Sequence, residues 1–235
     1  MNILDGLNKE QVSAVEHIDG PCLVLAGAGS GKTKVLTMRI ANLIASGIDS
    51  RNILAITFTN KAAKEMRERV NNVVGESYAF VGTFHSFGLR IIKENYEILG
   101  LSHNFTIIDS DDATSIIKKL LKDLGYDSKE YSPGFIKNKI SFIKNEMLSD
   151  SEAEKYLASP PEKVALKIYF EYQKVLRRNN AVDFDDLLML PVELFFSRED
   201  ILDYYQEKYR YILIDEYQDT NEVQYKLVKK LAEKY

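Results

Sequence analysis

Cysteine occurs once in these 235 residues, as Cys22. A single thiol excludes an internal disulfide and fits a reducing cytosol. Because it lies in an apolar run entering a glycine-rich loop, it is expected to be buried and structural rather than reactive. No stretch is long and apolar enough to span a bilayer, and MNILDGLNKE lacks the basic and apolar regions of a signal peptide, so the expected location is cytoplasmic. A basic excess is missing too: 31 Lys and Arg against 35 Asp and Glu leave a formal net charge of −4. That balance argues against nucleic acid as a partner of the chain as a whole, although such a sum can hide a local basic groove. Internal repeats and low-complexity segments are also absent. With 45% hydrophobic and 28% charged residues, the composition is that of an ordinary globular chain, long enough for one large domain or two small ones.

Against that background residues 23 to 33, LVLAGAGSGKT, stand out. A short apolar run, Leu23 to Leu25, reads as a strand. A turn containing Ala26, Gly27, Ala28, Gly29, Ser30 and Gly31 follows, and Lys32 and Thr33 open a helical pattern through Val35, Leu36, Ile40 and Leu43. Glycines let the backbone fold back so that several N–H groups and a helix N-terminus converge, which makes a seat for an anion. Lys32 is placed to reach the β and γ phosphates of a nucleotide, and the Thr33 hydroxyl to complete the oxygen shell of Mg²⁺. This is the Walker A pattern with one departure. Ala26 stands where the first glycine is usual, which is acceptable if its φ is negative.

Residues 7 to 21 read as a short helix with Val12, Val15 and Ile18 on one face, stopped by Gly20 and Pro21; by pattern alone Gln11 is a polar residue on its outer side. ILAIT at 53 to 57 extends as an apolar run to residue 59, and Asn60 is expected to cap the helix KAAKEMRERVNNVV. AFVGTF leads into HSFGLRIIKENYEIL, and FTIID at 105 to 109 looks like a further strand. This alternation predicts an α/β fold with a parallel, doubly wound sheet. From Ser110 three helical patterns follow without a clear strand. In the middle one Ile136, Ile140, Ile143 and Met147 form an apolar stripe, and Lys137, Lys139 and Lys144 lie off it. Sheet character returns in YRYILIDE at 209 to 216, before a last helical pattern from Glu222. The domain reading is 1–109 for the first part of an ATP-binding domain, 110–180 for a helical insert and 181–235 for the remainder.

YILIDE has the form of a Walker B strand, and ligands in open parallel sheets sit at the carboxyl ends of strands. Asp215 would hold Mg²⁺, and Glu216 would orient or deprotonate an attacking water. Taken together, AGAGSGKT, TFTNKAAKEM, GTFHSF and Ile214-Asp215-Glu216-Tyr217-Gln218-Asp219-Thr220-Asn221 resemble the UvrD/PcrA/Rep group of superfamily 1 DNA helicases, and within it the PcrA type. The similarity runs through the whole chain in order. It implies a P-loop, RecA-like sheet with an all-helical insert, subdomains 1A and 1B of such enzymes. It implies that Gln11 reads the adenine edge of ATP and that residues 26 to 33 hold its phosphates and Mg²⁺. By the same resemblance Asp215 binds the metal, Glu216 is the catalytic base and Gln218 senses the γ-phosphate. Thr57, Phe58, Asn60, Thr83 and His85 are implied to line a single-strand DNA channel. For Phe58 the physical reason is that an aromatic face stacks on any base, at about 1 to 3 kcal/mol per base. The segment VDFDDLL, with Asp183, Asp185 and Asp186, either complements a helix N-terminus or belongs to the family's segment after the insert.

The resemblance also implies partners: single-stranded DNA, single-strand/duplex junctions, and a second RecA-like domain that places arginines against the γ-phosphate. Without that domain the chain is expected to be a nucleoid-associated monomer that binds ATP and DNA weakly, hydrolyses slowly and does not unwind. The strand that normally separates the Walker A and Walker B strands has no counterpart here, so the sheet is expected to be incomplete toward the C-terminus, with a gap that another chain could fill. Two other readings use part of the same sequence. A small-molecule P-loop kinase would need Walker A but has no use for both TFTN and TFHS. A non-catalytic, nucleotide-regulated module would bind DNA or protein through the helical insert.

Overall fold

The structure, a computed structural model, describes residues 3–235. In chain order come α1 (Lys9–Glu16), α2 (Lys32–Ala45), a 3-10 turn (Ser50–Asn52), β1 (Ile53–Thr57), α3 (Asn60–Val74), β2 (Phe80–Thr83), α4 (Phe84–Glu94) and β3 (Thr106–Ile107). Next are α5 (Ser110–Asp123), α6 (Pro133–Asn145), α7 (Asp150–Tyr156), α8 (Pro160–Arg178), β4 (Ala181–Val182) and α9 (Asp186–Ser197). The chain closes with α10 (Glu199–Lys208), β5 (Tyr211–Ile214), a 3-10 turn (Tyr217–Asp219) and α11 (Glu222–Leu231). Among the described residues no helix is long and apolar enough to cross a membrane.

Two compact units result. The first takes the chain up to Phe84 together with Arg198–Thr220 and Val228–Tyr235. Its sheet is parallel, in the order β2-β1-β5. Parallel strands are covered on both faces and so read as unbroken apolar runs; β1, ILAIT, is buried at all five positions. Ile53 and Ala55 of β1, Val81 of β2 and Leu213 of β5 share a core with Ile40 and Leu43 of α2 and with Met66 and Val70 of α3. Each large side chain in such a core stabilises by about 1.5 to 3 kcal/mol over its exposed state. Helix α3 starts one residue earlier than its pattern suggested. The cap is Thr59, whose hydroxyl accepts the Ala62 N–H at 3.1 Å, while Asn60 is already helical.

Two expected strands are not members of this sheet. Residues 21 to 27 form no strand, and Leu23, Val24 and Leu25 are 71%, 41% and 86% exposed. An apolar run becomes a strand only where a neighbour offers a ladder, and β5 ends the sheet on that side among the described residues. Cys22, beside this run, is exposed rather than buried for the same reason. The segment at 105 to 109 shortens to β3, which pairs in parallel with β4 as a separate two-stranded sheet, Thr106 opposite Ala181 and Ile107 opposite Val182.

The second unit comprises His85–Ser197 and Asn221–Leu227. Its main core joins Ile117 and Leu121 of α5, Ile136 and Ile140 of α6, and Ala165, Ile168 and Tyr172 of α8. The α6 stripe is therefore buried as its spacing requires, down to Ile143; Met147 falls beyond the helix at φ 52°. Helix α7 had no sequence signal, because seven residues are too few to display a helical period. A capping box, Ser149 with Glu152, starts it. Gly88 marks a close approach of α4 to α9: a Cβ there would stand 1.8 Å from the Leu187 carbonyl oxygen.

Candidate functional site

Helix α2 is preceded by its cap residue Gly31, whose φ of 85° is left-handed, as is that of Gly29 at 76°. L side chains rarely adopt this conformation, so the two glycines are what allow the loop to turn into the helix. Ala26 is not among the positive-φ residues, which is the condition under which alanine can replace the usual glycine. Inside the loop the Ser30 hydroxyl donates to the Gly27 carbonyl at 2.7 Å, and the Lys32 ammonium folds back to the Ala26 carbonyl at 3.2 Å and that of Gly27 at 3.4 Å. A flexible four-carbon stem can exchange such neutral acceptors for a phosphate without moving the helix.

Gln11 is more than an outward polar residue. With Asn8 it forms the capping box of α1, and its Nε2 donates to the Ser30 carbonyl at 2.9 Å, tying α1 to the glycine loop. The Lys34 ammonium donates to the Gly6 carbonyl at 2.7 Å, and Asn42 to the Val15 carbonyl at 3.1 Å, so α1 is fastened along α2. One amide hydrogen and one lone pair of Gln11 stay available, the two functions an adenine edge engages.

The carboxyl ends of the three parallel strands bring the remaining residues in. Ile56 lies opposite Ile214 and Thr57 opposite Thr83, so Thr57, Thr83 and Asp215 leave the sheet along one edge. The Asp215 N–H extends the ladder to the Ile56 carbonyl at 2.9 Å. Its side chain faces the start of α2, where the Thr33 hydroxyl donates to Asp215 Oδ2 at 3.3 Å. Burial pushes the Asp215 carboxyl up from its ordinary range and the charge of Glu216 adds to this, while the Thr33 hydrogen bond opposes both. Glu216 itself holds a left-handed backbone, φ 50° and ψ 47°, uncommon for a side chain of its size. Gln218 Nε2 donates to Glu216 Oε2 at 2.6 Å, so these two side chains are adjacent.

The donor set suits a hard divalent ion. Mg²⁺ binds oxygen at 2.0 to 2.1 Å in an octahedron, whose neighbouring ligands are then about 3 Å apart. Thr33 Oγ1 and Asp215 Oδ2, at 3.3 Å, are close to that edge. Among the described residues no three His, Cys, Asp or Glu side chains are grouped as a metal cage, so phosphate oxygens and water would complete the shell.

The UvrD/REP helicase N-terminal domain matches residues 7–235, nearly the whole chain. The chain belongs to this family. It is 46% identical to the ATP-dependent DNA helicase PcrA of Staphylococcus aureus and to that of Bacillus subtilis, and 47% identical to that of Staphylococcus epidermidis, each over 236 aligned residues. The alignments cover 99% of this chain and 32% of each relative, so the chain spans about a third of the length of the proteins it matches.

In this UvrD/REP domain the TFTN segment is half committed to structure. Thr57 is 1% exposed and its hydroxyl donates to the Thr59 carbonyl at 3.1 Å. Phe58 packs edge-on against the buried Phe84, ring centroids 5.6 Å apart, and remains partly open; Asn60 is exposed. In the second unit the His85 ring stacks on Phe184 at 4.0 Å, and Phe184 is 57% exposed. Burial lowers the His85 pKa below its usual value, against the pull of Asp185.

The family domain also contains a buried ionic cluster that the sequence did not announce. Lys144, placed off the apolar stripe by its spacing, has 0% exposed side chain and reaches Asp183 Oδ2 and Asp186 Oδ1, each at 2.7 Å. The two aspartates cap α9 reciprocally: the Asp186 N–H bonds Asp183 Oδ1 at 2.9 Å and the Asp183 N–H bonds Asp186 Oδ2 at 3.0 Å. The helix-terminus reading of VDFDDLL thus holds for these two residues, with an ion pair added. Only the DxxD spacing before an apolar helix could have signalled the caps; the lysine comes from 39 positions away.

Proposed function

We propose that this chain is the ATP-binding N-terminal portion of an ATP-dependent single-strand DNA translocase or helicase, working on single strands and junctions in DNA repair or replication in the bacterial cytoplasm, associated with the nucleoid. The observation that carries the reading is the convergence at one sheet edge of Thr33 with Asp215 at 3.3 Å and of Glu216 with Gln218 at 2.6 Å, beside the loop bearing Lys32. In this reading residues 26 to 33 cradle the phosphates of ATP, Lys32 turns from its loop carbonyls to the β and γ oxygens, and Gln11 offers its free amide functions to adenine. Thr33 and Asp215 hold Mg²⁺, which when bound neutralises charge on the phosphate oxygens. Glu216, poised by its left-handed backbone, accepts a proton from the attacking water, and Gln218 steers that carboxylate. Thr57, Phe58, Asn60 and Thr83 at the strand ends of the first unit, and His85 in the second, are the residues for single-stranded DNA, with the Phe58 ring as a sequence-blind stacking face.

The domain reading is a RecA-like domain over 1–109 and 181–235 interrupted by a helical insert at 110–180. A second RecA-like domain would supply cationic side chains to the γ-phosphate, a contribution of about 10³ to 10⁵ in rate in related phosphoryl transfer. The exposure of Leu23 to Leu25 favours a weakly binding loop in this chain, since the run that should brace it has no ladder; another chain could supply one, and the chain is otherwise monomeric. The same observation lends weight to a second reading, a non-catalytic module that binds DNA or protein under nucleotide control. Titration of the purified chain with a fluorescent ATP analogue and Mg²⁺ tests the assignment. Binding should weaken by about tenfold or more in Lys32→Ala, the loss of one charge-assisted contact. Binding undiminished by that change refutes the site, and vigorous DNA-stimulated hydrolysis refutes the expected weakness of the chain.

A further inference from the structure

Three amide and carboxylate side chains form a directional hydrogen-bond relay inside the second unit. Asn221, the last residue of IDEYQDTN, donates from Nδ2 to Asn145 Oδ1 at 2.8 Å, and Asn145 donates from Nδ2 to Asp185 Oδ1 at 2.9 Å. The orientations agree with one another along the chain of bonds. Asp185 Oδ1 is the acceptor, so Asn145 turns its NH₂ toward it and its oxygen toward Asn221. Asn221 in turn keeps its own oxygen for the Gln224 N–H, at 3.0 Å, leaving its NH₂ to face Asn145. Asn145 is further steadied by the Ser141 carbonyl at 2.9 Å and the Ser141 hydroxyl at 3.1 Å.

Both ends of the relay are significant in sequence. Asn221 follows Gln218 by three residues and Glu216 by five, and the 3-10 turn Tyr217–Asp219 lies between Glu216 and Asn221. Asp185 follows Phe184, which stacks on His85. The neighbour of Asn145 on α6 is Lys144, which grips Asp183 and Asp186 on either side of the same loop. The loop Asp183 to Asp186 is thus held from α6 at three carboxylates, and the middle one alone depends on a side chain that also touches the segment after the Walker B strand.

We propose that Asn145 is a positioning residue that links the conformation of residues 216–221 to the placement of the Asp185 loop, so that nucleotide at the first and single-stranded DNA at the second influence each other's binding. The inference rests on the function proposed above. Coupling is reciprocal by thermodynamic necessity, and about fivefold or more is the ordinary size of such an effect.

The test measures the affinity of the chain for a fluorescein-labelled oligothymidylate, with and without a non-hydrolysable ATP analogue and Mg²⁺. Asn221→Asp keeps the cap oxygen for Gln224 but cannot donate to Asn145; Asn145→Asp still accepts from Asn221 but opposes Asp185 with a second carboxylate. Each variant should bind either ligand alone within about threefold of the parent, while the effect of one ligand on the other falls below about twofold. Because the links act in series, the double variant should lose no more coupling than either single one. If Asn221→Asp does not fold, Asn221→Ser retains a capping oxygen, is too short to reach Asn145 and is expected to give the same loss. Coupling that survives in the variants, or a parent chain that binds both ligands independently, overturns the relay alone. A parent chain that binds neither ligand overturns the functional reading and the relay with it.

Discussion

Replacing Lys144 by methionine removes the cation from a buried cluster with Asp183 and Asp186. The parent arrangement sets the magnitude. Lys144 is fully buried and lies 2.7 Å from both Asp183 and Asp186, themselves buried and only three residues apart. Breaking a buried ion pair from one side costs about 3 to 5 kcal/mol, because the remaining charge is left unpaired in a poor solvent. Here two carboxylates remain, and one can shed its charge by taking up a proton. Asp186 is already inclined to do so: burial, reinforced by the charge of Asp183 and opposed by Lys144, pushes its pKa up to about 6. Without the lysine that value rises further. An acid whose pKa is higher in the folded than in the unfolded chain favours folding in its protonated form, so its cost grows as pH rises from the unfolded value near 3.9 through the folded one. Lys144 shows the opposite dependence: the two carboxylates raise its pKa above 10.5 despite burial, so its contribution is present below that value and is lost in strong alkali. Urea unfolding of Lys144→Met, followed by far-ultraviolet circular dichroism, should therefore show a loss of about 3 to 5 kcal/mol at pH 7.5 and a smaller one at pH 5. Adding Asp183→Asn and Asp186→Asn to the variant should restore most of it. Equal losses at both pH values, or none, would refute the buried-charge argument.

Three further substitutions probe the packing and capping of the helices. Gly88→Ala brings a Cβ to 1.8 Å from the Leu187 carbonyl, a backbone atom that cannot swing away; the second unit should lose about 3 kcal/mol, the upper range for overpacking, and an unchanged melting temperature would show that α4 and α9 do not meet there. Thr59→Ala should cost about 1 kcal/mol through loss of the α3 cap, whereas Asn60→Ala should leave stability nearly unchanged, and equal losses in thermal melts would restore Asn60 as the cap.

What the residues announced was local. The glycine loop and the start of α2, the apolar runs of β1 and β5, and the stripe of α6 follow from backbone preference and periodicity, and they appear where those rules place them. Four motifs in order sufficed for the family, because each couples residue type to spacing. Strand membership was a different matter. Leu23 to Leu25 has the composition of a strand and no ladder, and residues 105 to 109 have a ladder in another sheet. A strand's hydrogen bonds belong to its neighbour, which composition does not name.

The sequence by itself marked Lys32, Thr33, Asp215 and Glu216 as the candidates for phosphate chemistry, since glycine spacing and an apolar strand ending in two acids constrain the local backbone. Only the tertiary structure decided that Thr33 would meet Asp215 across 182 positions, that Gln11 would brace the loop at Ser30, and that Lys144 would be buried between two aspartates. Those pairings depend on which surfaces are left facing each other once the sheet and helices have packed. A helical lysine reads as solvent-facing until two carboxylates from a distant turn make burial the lower-energy state.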